Sequence, residues 1–475
     1  MFVSTTFLLF MGLVVTCFFC VRIEWRAKVL LAASWIFCGL IDIRSLSVLI
    51  LVSVSAYFWG IALEKRERKK ILLIVAIVGY VLLICMYKYI PYSIYHFGWQ
   101  DKMTENILST LVMPIGLSFY LFQVIGYLMD IYHGKVQAER NFWDLALCFA
   151  FFAKLVSGPV ERESDFLKQI KSLDQVRFWN KGRLSTALMY LFWGYFLKMV
   201  IADRLAITVD RIFESPGDFE SVCLLVGMVF YTIQIYCDFA GYSYIALGCA
   251  RIFGIELTNN FKAPYYAVSI TDFWRRWHIS LSSWLKDYVY IPLGGNRKGT
   301  ARKYINIMIV FAICGMWHGS GINFLVWGLL HGSYLVIENT VCKYGRLKIP
   351  ETVRRIFTFC QVSVAWVFFR ADSIETALAY FVSLLTTGIH LENYELIKIS
   401  LQINKIEMTV ICVGIGIVAA VDWICSRKKE QFPDIIQHRG NAVRYFVFYL
   451  LAIVIFIFGM YGPGYHAEDF IYMRF

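Results

Sequence analysis

Apolar stretches long enough to cross a lipid bilayer recur along almost the whole of this 475-residue chain. A helix needs roughly 20 apolar residues to traverse a hydrocarbon core about 30 Å thick. Inside that core every backbone amide must be satisfied within the protein, which leaves helices or closed barrels. The stretches cover 2–21, 29–41, 46–63, 71–90, 108–132, 142–158, 184–201, 221–248, 304–317, 322–341, 356–370, 407–424 and 442–460. Some are too short to cross alone. The pattern predicts an all-α polytopic membrane protein with about eleven crossings plus interfacial and re-entrant pieces. The chain is 59% hydrophobic and 17% charged, against about 45–50% and about 25% in soluble proteins. That leaves no room for a large soluble module, so residues 1–475 read as one integral-membrane domain.

The formal net charge of +12 would suggest nucleic acid in a soluble protein. Here Lys and Arg cluster in short loops between apolar stretches, as the positive-inside rule requires, and no nucleic-acid partner is expected. Arg22, Arg26 and Lys28, and then the run at 64–70, place two loops in the cytoplasm and the N-terminus outside. Residues 91–107, with only Asp101, Lys102 and Glu105 charged beside His96, fall outside as well. The segment 2–21 lacks a basic start and a small-residue cleavage site, so it reads as a retained helix. Among thirteen Cys, Cys17 and Cys20 form a CxxC inside an apolar helix with no second pair, so no metal or redox site is expected. No internal repeat is visible, which speaks against a repeat-built transporter.

In the segment 271–290, Trp274, Trp277, Leu281, Trp284, Leu285 and Tyr288 recur at helical spacing, with charged and hydroxyl residues between them. This predicts an amphipathic helix lying in the membrane interface. Residues 292–299 follow as a Pro/Gly turn, and 371–385 read as a second surface helix.

Three of eight His, His278, His318 and His331, lie within 270–335. Ionisable groups at membrane depth are costly and therefore functional suspects. His318 sits in GMWHGSG between two apolar arms whose outer ends are basic: Arg297, Lys298, Arg302 and Lys303 before, Lys343, Arg346 and Lys348 after. This predicts a hairpin entering from the cytoplasm. A first apolar arm of about fourteen residues reaches only about 20 Å, which stops His318 inside the membrane at a Gly-rich break. A neutral imidazole there suits deprotonation of a hydroxyl attacking a thioester; the other reading is a His bonded to a backbone carbonyl. His278 reads either as a cavity residue or as a belt residue with its tip in water. His331 reads as a helix-packing residue bonded to a neighbouring helix. Asp238, within an apolar stretch, needs a partner or water, and reads either as paired with an Arg, such as Arg275 or Arg276, or as catalytic. Lys154 and Glu161 flank a Gly-Pro break that reads as a re-entrant turn or gate.

The segments 272–299 and 315–332 resemble the membrane-bound O-acyltransferase family, in the bacterial branch that acetylates extracellular polysaccharides. Residues 113–132, 154–167, 236–248, 368–378 and 470–475 match as well, and the two His motifs stand 40 positions apart. The resemblance implies a ring of tilted helices around a tunnel, with the catalytic motifs within 236–332. It implies His318 as the essential histidine and His278 as a second catalytic position. Asp238, Arg275, Arg276, Trp317 and Asn323 are tunnel-lining or structural polar candidates. It further implies a cytoplasmic acyl thioester donor, acetyl-CoA or an acyl carrier protein, with no bound cofactor. The expected partners are membrane lipids and an extracytoplasmic SGNH-type transferase that modifies a polymer such as alginate. The expected location is the bacterial cell membrane. D-alanyl transfer to teichoic acid, or transport of a glycan or lipid-linked precursor, are the alternatives.

Overall fold

The computed structural model describes residues 2–65, 69–98, 102–156, 158–344, 349–388 and 403–461. The expectations for Arg66, Glu67, Arg68, Asp101, Arg346, Lys348 and the segment 470–475 lie outside these residues. The described residues are mostly helical, with no strand among them. Among the described residues six helices are long and apolar enough to cross a membrane: Ile43–Glu64, Lys69–His96, Lys181–Glu214, Ser221–Ile252, Lys405–Lys428 and Asn441–Phe458. Shorter apolar helices include Thr5–Cys20 and Leu117–Tyr132. This is a multi-pass helical membrane protein. Its chain forms two compact units.

One unit comprises 2–187 and 246–258. It contains α1 (Thr5–Cys20), α2 (Arg26–Ile41), α3 (Ile43–Lys65), α4 (Lys69–His96), α5 (Lys102–Thr110), α6 (Leu117–Tyr132), α7 (Phe142–Ala150), α8 (Phe152–Leu155) and α9 (Glu163–Lys171). Helices α6 and α7 are its core, since nearly every α6 position is buried. Gly116 starts α6 with φ +71°, and a Cβ there would stand 2.1 Å from the Leu155 carbonyl oxygen, so only glycine allows this contact. The Gly-Pro break between α8 and α9 is a turn with its charges held fast. The Lys154 ammonium donates to Gln123 Oε1 at 2.8 Å and lies 3.8 Å from Glu163, all three buried. Glu161 accepts from the Thr258 amide at 2.6 Å and from its hydroxyl at 3.0 Å.

The other unit comprises 188–245 and residues from 259 onward. Helix α10 (Lys181–Tyr195) runs through a π-helical turn, Phe196–Ala202, into α11 (Asp203–Glu214). Helix α12 (Ser221–Ile252) follows. A Cβ on Gly194 would stand 2.7 Å from the Gly241 carbonyl oxygen, so α10 and α12 touch backbone to backbone. That approach decides the partner of Asp238. Lys198, on the π-helical turn, places its ammonium 2.7 Å from both Asp203 and Asp238. The expected pairing of Asp238 with Arg275 or Arg276 is therefore not made; Arg276 pairs with Asp272 at 2.9 Å instead.

The segment 271–290 is not one interfacial helix. It is α13 (Ile270–Arg276), α14 (Ile279–Leu285) and a π-helical turn, Lys286–Tyr290. His278 between them takes φ +43°, which ends α13. Asn260 catches the restart: its carbonyl accepts from the Ile279 amide at 3.0 Å and its Oδ1 from the Ser280 hydroxyl at 2.6 Å. Trp277 and Trp284 consequently face the protein interior rather than the interface.

The hairpin is present as α15 (Thr300–His318) and α16 (Ile322–Tyr344). Its first arm is five residues longer than the apolar stretch suggested and spans about 28 Å, because Thr300–Lys303 and His318 join the helix. Gly315 and Gly328 let the arms meet: added Cβ atoms would stand 2.3 Å from the Phe324 and 2.2 Å from the Phe311 carbonyl oxygens. Helix α17 (Glu351–Arg370) ends at an Arg370–Asp210 ion pair of 2.6 Å. Helix α18 (Ile374–Thr386), the expected second surface helix, is capped by Ser373 and anchored by buried Tyr380. Three hydroxyls then secure α19 (Lys405–Lys428) and α20 (Phe432–Gln437): Tyr236 donates to Asp422 at 3.0 Å, Tyr190 to Asp434 at 2.7 Å, and Tyr244 to Gln431. Helix α21 (Asn441–Phe458) completes the described chain.

Removing the shared ammonium should be far worse than removing one carboxylate charge. Lys198→Met strands two buried carboxylates and should cost about 3–5 kcal/mol. Asp238→Asn leaves Lys198 paired with Asp203 and should cost less. Thermal unfolding of the two purified variants in detergent checks this order, and equal midpoints would contradict it.

Candidate active site

His278 and His318 converge although they belong to different elements. Their ring centroids are 6.5 Å apart, with His278 fully buried and His318 5% exposed. His318 is the last residue of α15, immediately before the Gly319–Ser320–Gly321 turn. His278 is the left-handed residue that separates α13 from α14. Non-glycine residues in this conformation cost free energy and persist where the surroundings over-determine them. Its burial excludes the reading with a tip in water.

Aromatic rings enclose the pair. Trp317, Trp327 and Phe369 stand 4.8, 5.0 and 5.3 Å from His318, all edge-on. Phe239 stands 4.8 Å from His278, and Trp317 reaches His278 as well, at 6.1 Å. Such spacings are contact distances for rings meeting edge to face. Burial pushes the His278 pKa down to about 3, so this ring, in a helix break outside the spanning helices, is neutral at physiological pH.

Polar contacts from α16 and its approach fix both histidines. Asn323 donates through Nδ2 to the Ala371 carbonyl at 2.8 Å and to the Phe368 carbonyl at 3.2 Å. It thus ties the turn after His318 to the end of α17. Glu338 accepts from the amides of Ile270 and Thr271 at 2.7 and 3.4 Å, which holds the start of α13. His331 accepts at Nδ1 from the Trp274 indole at 3.3 Å, the expected bond to a neighbouring helix. Glu338, Trp327, Phe369 and Phe239 are additions to the sequence reading. Only Glu338 carried a signal, as a charge inside the apolar stretch 322–341.

A groove of about 520 Å³ runs between α13–α14 and the α15–α16 hairpin, and neither histidine lines it. Its lining includes Ile279, next to His278, and Cys314, one turn before His318. Arg275 and Lys286 give it positive charge, and Thr271 and Ser282 give it hydroxyls. Of the two adjacent arginines, then, Arg275 faces the groove, whereas Arg276 is committed to Asp272 and to the Ser426 hydroxyl at 3.3 Å. Asp238 is committed to Lys198.

The model of the membrane-bound O-acyltransferase family matches residues 146–380, which include both histidines. The probable alginate O-acetylase AlgI of Pseudomonas putida is 35% identical over 77% of this chain and 76% of its own length. The peptidoglycan O-acetyltransferase of Helicobacter pylori is 34% identical over 74% of this chain and 72% of its own. The teichoic acid D-alanyltransferase of Bacillus subtilis is 29% identical over 50% of this chain and 61% of its own. Identity at that level, over three quarters of the chain, extends well beyond the histidine motifs, and the chain belongs to the membrane-bound O-acyltransferase family.

Proposed function

We propose that this acyltransferase moves an acetyl group from a cytoplasmic thioester through the bilayer, for O-acetylation of an extracytoplasmic polysaccharide such as alginate. The observation that carries the reading is the pair of buried histidines, 6.5 Å apart; a groove bearing Arg275 and Lys286 opens along the same helices, with Ile279 and Cys314 in its lining. A thioester donor has two chemical ends. Its phosphate-bearing carrier, coenzyme A or the prosthetic arm of a carrier protein, suits the cationic groove wall; its acyl carbonyl must reach the histidines.

His318 acts as the base. It takes the proton of an attacking hydroxyl as the C–O bond forms, and passes it to sulfur as the C–S bond breaks, so that free thiol leaves. Neutral His278 supplies a hydrogen bond near the reacting carbonyl. The hydroxyl is provided from outside, by an SGNH-type transferase that relays the group to the polymer. Membrane lipids surround the spanning helices of this bacterial cell-membrane protein, whose N-terminus lies outside. The names of the Pseudomonas and Helicobacter relatives support acetyl transfer. The Bacillus relative matches over a smaller share of the chain, so D-alanyl transfer is the second reading.

His318→Ala should lower acetyl transfer by about 10²–10⁴-fold, the range of a lost general base, at unchanged protein level in membranes. Retained activity would remove His318 from the chemistry. His278→Asn keeps hydrogen-bonding capacity and should be milder. Because His278 is already neutral, acidification from about pH 8 to 5 does not charge it; His278→Asn should lower the rate without reshaping the pH profile in that window. Arg275→Ala should raise KM for acetyl-CoA more than it lowers kcat, the pattern of a lost ground-state contact. Steady-state kinetics in detergent measure both.

A further inference from the structure

We infer that Trp317 sets the acyl length this enzyme accepts, restricting the donor to short acyl groups. The inference rests on the acyl-transfer reading and adds a residue that decides which acyl group is used.

The argument is steric. Any transferred carbonyl has to come within hydrogen-bonding reach of His318, so the rest of the acyl chain must occupy space beside the same ring. Three sides are closed by rigid rings in contact with it: Trp327 at 5.0 Å, Phe369 at 5.3 Å and Trp317 at 4.8 Å. Trp327 and Phe369 cannot swing aside. Both are fully buried, and they pack on Trp366 at 5.6 and 5.3 Å. Phe369 also meets Phe324 at 5.2 Å.

Trp317 differs in two respects. It is in contact with both histidines, and it keeps 7% exposure where Trp327 and Phe369 keep none. The chain beyond the second acyl carbon would therefore collide with the Trp317 indole before any other side chain. Phe239 closes the far side of His278 at 4.8 Å, so a longer chain gains nothing by turning that way. A pocket whose shape excludes one methylene discriminates by roughly 10–200-fold. Two extra carbons against the Trp317 indole should fall in the upper part of that range.

The test uses the purified full-length protein with the acetyl, butyryl and hexanoyl thioesters of coenzyme A, and water as acceptor. In that reaction the C–S bond breaks, a C–O bond to water forms, and the carboxylic acid and free thiol are released. Thiol appearance gives kcat/KM for each donor. The wild type should prefer acetyl over butyryl by more than tenfold. Trp317→Ala should bring that ratio to within about threefold through a gain on butyryl, and Trp317→Phe, which preserves a ring if the alanine variant fails to fold, should fall between. A wild type indifferent to length, or a folded Trp317→Phe or Trp317→Ala variant with the wild-type ratio, would overturn the inference while leaving acyl transfer intact. His318→Ala is run alongside: thiol release that survives it with all three donors would overturn the acyl-transfer reading itself, and this inference with it.

Discussion

The carboxylate of Glu338 closes over the first two amides of α13, and the geometry of the site follows from that grip. A helix N-terminus presents unsatisfied amides and partial positive charge, which a carboxylate neutralises best. Two turns earlier on α16, His331 receives the Trp274 indole from the same short helix. Helix α13 is thus held at its start and along its side by one long helix, and His278 leaves its end in a fixed direction. At the other end of α16, Asn323 locks the turn that follows His318 to the end of α17. One helix therefore sets the positions of both imidazoles, although it contributes neither.

The break at His278 belongs to the same design. A continuous helix over 271–290 would have left this side chain on the flank of the tryptophan stripe, four residues after Trp274. The left-handed step at His278 interrupts that stripe, and Asn260 stabilises the restart. Trp277 and Trp284 turn inward with it, and Trp277 packs on Phe239 and Trp366 behind the site. The conformational strain at this residue is offset by burial of the aromatic cluster around it, and not by any local feature.

Much of this was legible in the chain. Long apolar stretches specify helices because the bilayer allows little else, and the pair of glycine-rich, tryptophan-rich histidine motifs marked the site and its family. What escaped was non-local. Trp274, Trp277 and Trp284 have perfect amphipathic spacing, so nothing within the segment disclosed the interruption; it depends on Asn260, far enough away to be invisible to periodicity. Asp238 announced that it needed a cation but not which one, because the choice of Lys198 was made by two glycines, Gly194 and Gly241, that bring separate helices into contact. For Asn323 and Arg276 the sequence left tunnel and structural roles both open, because the bonds they make, to backbone and between helices, join residues far apart in the chain.

The three tyrosines of α10 and α12 have a bearing on how the chain is made. Tyr190, Tyr236 and Tyr244 all donate to residues between 422 and 434. Synthesis proceeds from the N-terminus, so these hydroxyls are threaded into the membrane some 180 or more residues before their acceptors exist. Until then they must be covered by water, lipid headgroups or the insertion machinery, since a buried hydroxyl without a partner is unfavourable. The interior of this unit can become dry only as the last helices arrive, which makes closure around the histidines a late event in the birth of the protein.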